Sequence, residues 1–84
     1  MEQTKSHKLV MYNDPHNSFA YIMACLIKFC EHDPIQAEQC AIIAHNKGEC
    51  SIKEGDFLEM LDMHNDFERV KVKTEILKHE SSVY

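Results

Sequence analysis

Asp33-Pro34-Ile35-Gln36-Ala37-Glu38-Gln39-Cys40-Ala41-Ile42-Ile43-Ala44-His45-Asn46-Lys47-Gly48 is a helix written with both of its ends. Asp33 can accept hydrogen bonds from the free amides of a first helical turn. Pro34 suits the first helical position, where its missing N–H costs nothing. Gln36 stands where a capping-box side chain would reach back. Ala37, Cys40, Ala41 and Ala44 recur at i, i+3, i+4 and i+7 and mark the inner face. Lys47 places a cation in the last turn, and Gly48 supplies the left-handed stop. A helix so bounded in mid-chain fixes what can lie on either side.

Upstream, Ser18 can cap an earlier helix. Phe19, Ile22, Leu26 and Phe29 give its stripe, widened by Met23, Ile27 and Cys30, and it ends near Glu31-His32. Lys8-Leu9-Val10-Met11-Tyr12 has strand character, and Asn13-Asp14-Pro15-His16-Asn17-Ser18 breaks it. Pro15 disfavours a helical Asp14, while Asn and Asp side chains bond nearby backbone and favour turns. Downstream, Cys50 and Ile52 alternate with Glu49, Ser51 and Lys53 as a short strand. Gly55-Asp56 opens a third helix, with Glu59 completing a capping box and Phe57, Leu58, Leu61, His64 and Phe67 facing inward. Val70-Lys71-Val72-Lys73-Thr74-Glu75-Ile76 alternates as a third strand. The expected order is β-α-α-β-α-β. It is an α+β fold with a three-stranded antiparallel sheet, three helices packed on one face, and a polar outer face that includes Lys71, Lys73 and Glu75. One domain spans 8–77, with a short N-terminal tail at 1–7 and a polar C-terminal tail at 78–84.

The chain has 84 residues, 44% hydrophobic and 27% charged, which suits one small globular domain. With no tryptophan, the aromatic core is expected from Phe19, Phe29, Phe57, Phe67 and the tyrosines. A net charge of −5 argues against a nucleic-acid partner, which needs clustered cations for its phosphates. No apolar run reaches transmembrane length, and Met1-Glu2-Gln3-Thr4-Lys5 does not open a secretory signal, so the cytoplasm is expected. Cys25, Cys30, Cys40 and Cys50 contain no C-x-x-C and read as small buried hydrophobes. Cys30-x-His32, and Cys40 with His45, are looser than structural zinc pairs, so no metal or other cofactor is expected. With two glycines there is no phosphate-cradling loop, and no histidine or cysteine is evidently held beside a third orienting group. A monomeric protein that binds another polypeptide, not an enzyme, is therefore expected.

Two features could form a binding site. The loop Asn13–Asn17 concentrates polar groups beside an apolar helix start, although a plain turn would use the same residues. Ala41 and His45 share a face near the end of the second helix. The alanines leave space there, although close helix packing would use them too.

Together these stretches resemble the ClpS family, adaptors of bacterial AAA+ proteases that bind N-end-rule substrates. The resemblance runs from His7 to Leu77 and rests on three anchors in order. These are Leu9-Val10-Met11-Tyr12-Asn13-Asp14, then Gln36-Ala37-Glu38-Gln39, then His45-Asn46-Lys47-Gly48; Val72-Lys73-Thr74 fits less specifically. The resemblance implies that Asn13, Asp14 and His45 hold the free α-amino group of a substrate. It implies that Asn17, Phe19, Ala41, Ala44 and Val72 form the pocket for a bulky first residue such as Leu, Phe, Tyr or Trp, and that the N-degron is handed to a ClpA- or ClpC-type AAA+ unfoldase. The sequence departs from the family where Pro15 replaces a second acid, Ser18 a proline, and Phe19 and Ala41 two common methionines. The expected first strand begins at Lys8, where family members often carry a longer N-terminal extension. A docking module blind to free N-termini, or a Cys/His metal-binding domain, are the alternative readings.

Overall fold

A computed structural model describes residues 6–78. The elements follow one another as β1 (His7–Tyr12), α1 (Phe19–Cys30), α2 (Pro34–Lys47), β2 (Glu49–Gly55), α3 (Phe57–Arg69) and β3 (Thr74–Lys78). β1 is the central strand, paired antiparallel with β2 on one side and β3 on the other. Tyr12 stands opposite Glu49 and Met11 opposite Thr74, and a register shift in the β1–β2 ladder falls between Leu9 and Val10. The expected α+β order and antiparallel sheet are therefore what the chain forms.

The helix signals act as the sequence predicts. The Ser18 hydroxyl, the Asp33 carboxylate and the Asp56 carboxylate accept from the backbone N–H of Tyr21, Gln36 and Glu59 at 3.1, 2.8 and 2.8 Å. Gly48 closes α2 in the left-handed conformation, φ 93°, with its N–H on the Ala44 carbonyl. The alternating strand residues Leu9, Met11, Cys50 and Ile52 meet Leu26, Cys30, Ala37, Cys40, Ala44, Met60 and Phe67 from the helices in one core. All four cysteines are buried with free thiols, as expected of small apolar residues.

Three expectations need correction. Residues 70–73 do not join the third strand. The N–H groups of Val70 and Val72 bond the Phe67 carbonyl, that of Lys71 bonds Glu68, and Lys71 turns through a positive φ of 64°. Val72 and Thr74 are buried while Lys71, Lys73 and Glu75 are exposed, so the burial alternates as in a strand while the backbone before Thr74 closes a helix. Lys71 and Lys73 thus precede the sheet, and Glu75 alone of the three lies in it. In α3 the buried positions are Met60 and Phe67, whereas Leu58 is 70% and Phe57 45% exposed. The inner stripe is Met60, Met63, His64 and Phe67, rotated from the expected one. The aromatic core reduces to Phe67, buried, with Phe29 packed edge-on against it at 5.2 Å between ring centres; Phe19 is 44% exposed. The outer parts of the tails expected at 1–7 and 78–84 lie outside the described residues, but His7 opens β1 and Lys78 closes β3. The elements so reach one residue beyond 8–77 at each end.

Candidate functional site

The chain leaves β1 at Tyr12, and the next five residues are held from three directions. Tyr12 N–H donates to the Lys73 carbonyl at 3.0 Å, and Asn13 N–H donates to the Gly48 carbonyl at 2.9 Å. Asn17 Nδ2 donates to the Lys71 carbonyl at 3.2 Å. Two left-handed residues, Gly48 and Lys71, therefore offer their carbonyls to the ends of the same loop. Within the loop Asn17 N–H reaches the Asp14 carbonyl at 3.1 Å. The Asp14 side chain accepts from His16 twice, from its N–H at 2.9 Å and from ring Nδ1 at 3.1 Å, both at Oδ1.

This loop forms one wall of a cavity of about 390 Å³ between β1, α1 and α2. Asn13, Asp14, Pro15 and Asn17 line it from the loop, Met11 and Tyr12 from β1, Phe19 and Ile22 from α1, and Ala41, Ala44 and His45 from α2. Ala41 and Ala44 are buried and give the cavity its room, since any longer side chain there would fill it. His45 sits one position past Ala44, exposed, in the last turn of α2. Seven of the eight expected site residues, Asn13, Asp14, Asn17, Phe19, Ala41, Ala44 and His45, thus share one hollow. Val72 does not line it: at 2% exposure it belongs to the core beneath. Met11, Tyr12, Pro15 and Ile22 line the cavity without having been expected there. The signal for Ile22 was its place one turn after Phe19 on the same helical stripe.

The electrostatics of the mouth are set locally. The His16 N–H and ring, with the positive charge of Lys73, hold the Asp14 carboxyl below the usual carboxylate range, so it is an anion at neutral pH. Tyr12 donates its hydroxyl to Glu75 Oε1 at 2.6 Å. That bond, with the charges of Glu75 and Glu49, pushes the Tyr12 phenol up to about 12, so it stays a neutral donor. The cavity thus pairs apolar walls with an ionised carboxylate, an amide and an imidazole, a combination suited to a cation carrying an apolar group.

A second, polar hollow of about 450 Å³ lies between β2 and the α1–α2 junction, lined by His32, Gln36, Ser51 and Lys53 among others. His32 is buried there with Nε2 donating to the Ile52 carbonyl at 2.9 Å. Among the described residues no three His, Cys, Asp or Glu side chains converge to hold a metal ion, and no helix is long and apolar enough to cross a membrane.

Compared with known families, residues 2–78 match the one described as ATP-dependent Clp protease adaptor protein ClpS. No curated protein sequence matches the chain significantly.

Proposed function

The chain belongs to the ClpS family, adaptors of the ATP-dependent Clp protease, and from that premise we propose that its cavity captures the free α-amino group and bulky apolar first residue of an N-degron. As a monomer in the cytoplasm, it would then present the substrate to a ClpA- or ClpC-type AAA+ unfoldase. The observation that carries this reading is the meeting of Asn13, Asp14 and His45 at one cavity whose deeper walls include Ile22, Ala41 and Ala44.

A chain start is chemically distinctive. Its amino group has a pKa of about 7.7–8.0 and is largely cationic at neutral pH. It therefore needs acceptors, and ionised Asp14, the Asn13 carbonyl oxygen and an unprotonated ring nitrogen of His45 can supply them. Hydrogen bonds between ions of opposite charge are roughly twice as strong as neutral ones. Burying one Leu-sized side chain against the apolar walls contributes about 1.5–3 kcal/mol more. Phe19, half exposed on the cavity wall, narrows the entrance, and the small Ala41 deepens the floor.

The deciding experiment compares a peptide beginning with Leu or Phe with the same peptide acetylated at its N-terminus. Acetylation removes the charge and two donors and leaves the side chain intact. Fluorescence anisotropy should register a loss of about tenfold or more. Equal affinity for the two peptides, or no affinity for either, rules this function out.

A further inference from the structure

We propose that His16 is a positioning residue for Asp14, spending one carboxylate oxygen on the loop and leaving the other to a charged chain start. The inference rests on the N-terminus-binding reading of the cavity and concerns how that same site is oriented.

The geometry begins with Pro15. It has no N–H, so the first amide after Asp14 is that of His16, which folds back onto Asp14 Oδ1 at 2.9 Å. The imidazole follows its own backbone, and Nδ1 comes to 3.1 Å from the same oxygen. A carboxylate can only accept, so Nδ1 must carry the hydrogen whenever the ring is neutral. That leaves Nε2 as the free basic atom, on a side chain that is 90% exposed. Oδ1 is thus occupied twice, while among the described residues no protein donor reaches Oδ2, which is left for a ligand that donates. His16 fixes which carboxylate oxygen is spent on the loop and which remains.

The two His16 bonds, with the positive charge of Lys73, hold the Asp14 carboxyl below the usual carboxylate range, so the oxygen left open belongs to an anion. A cationic amino group meets that oxygen with its direction already fixed by the loop.

Substitution tests the role. Asn at position 16 keeps an N–H donor near the place of Nδ1. With a fluorescent peptide beginning with Phe, His16→Ala should weaken binding at pH 7.5, and His16→Asn should recover most of that loss. In the free protein, a carbon-13 titration should show the Asp14 carboxyl protonating at higher pH in His16→Ala than in wild type. Equal binding by wild type and His16→Ala, or an unmoved Asp14 titration, overturns the role of His16 and leaves N-terminus recognition standing. Equal binding of the free and N-acetylated peptides overturns both.

Discussion

At the scale of single residues, the cavity separates charge from shape. Asp14 is ionised yet partly open to solvent, so any pull it exerts on a cationic ligand is electrostatic and screened, while Ala41 and Ala44 shape the cavity only by being small. Asp14→Asn tests the first half cleanly, because it keeps the outline of the side chain and one acceptor oxygen and removes the charge. Affinity for a peptide beginning with Leu should fall on the order of tenfold in low salt, and less at high salt, where the wild-type advantage is screened. The thermal unfolding midpoint should hardly move, since the loop is also held by backbone bonds from Tyr12, Asn13 and Asn17 that the substitution leaves intact. A midpoint that drops by many degrees while binding survives would make Asp14 a structural residue instead. The Asn-Asp pair, the two alanines and His45 could be reached from the sequence only through the family resemblance, since a plain turn and close helix packing use the same residue types. Tyr12 and Pro15 could not, because a strand end and a turn proline look the same whether or not a hollow lies beside them. Val72 was misplaced for the opposite reason: a valine between lysines is equally apt for a pocket wall and for a core, and backbone closure after α3 turned it inward.

At the scale of elements, the stop of α2 does two things at once. Gly48 ends the helix through its N–H and accepts the Asn13 amide through its carbonyl, so the helix carrying Ala41, Ala44 and His45 is tied to the loop carrying Asn13 and Asp14. A Cβ added at Gly48 would meet nothing within 4 Å, so the cost of replacing it is purely conformational. Gly48→Ala should lose about 1–2 kcal/mol in urea unfolding, and Gly48→Asn less, because Asn tolerates the left-handed conformation. If both variants are as stable as wild type, φ at this position is not what holds the junction. The helices bounded by Ser18, Asp33 and Asp56 were legible because capping is local chemistry, decided within four residues. The face of α3 was not. Its first turn carries Phe57 and Leu58, and sequence alone assigns large apolar residues to the inside. Buried Gly55 lies so close to Met60 and Glu59 that the helix comes down on Met60 instead. Phe57 is left to pack edge-on against His7 at 5.3 Å between ring centres. Such a choice depends on which residue the neighbouring strand leaves without a side chain, a tertiary fact that periodicity cannot contain.

At the scale of the whole molecule, a small domain whose described residues include one fully buried aromatic side chain, Phe67, must fill its interior with something else, and here much of it is sulfur. Cys25, Cys30, Cys40 and Cys50 occupy the core with Met11 and Met60. A buried thiol packs as a small hydrophobe only while it keeps its proton. Burial pushes the Cys30 thiol up to about 12, against the opposing charge of Lys53, and raises Cys25 and Cys50 above the ordinary thiol range for the same reason. In the unfolded chain these thiols ionise at about 8.5. A group that binds its proton more tightly when folded contributes stability that is complete below its unfolded pKa and is lost as pH rises through its folded one. Stability should therefore be flat from pH 7 to about 8.5 and then fall towards pH 12, each thiol adding a slope of up to about 1.4 kcal/mol per pH unit. Tyr12, also raised to about 12, adds to the upper part of this range, and Tyr12→Phe isolates its share. Urea midpoints recorded at half-unit steps should show the decline, and Cys30→Ala, less stable at pH 7 because of the space it leaves, should have the shallower alkaline limb. Parallel limbs in wild type and Cys30→Ala would mean that the interior admits hydroxide without unfolding. The apolar character of the sulfur core would then owe nothing to its retained protons.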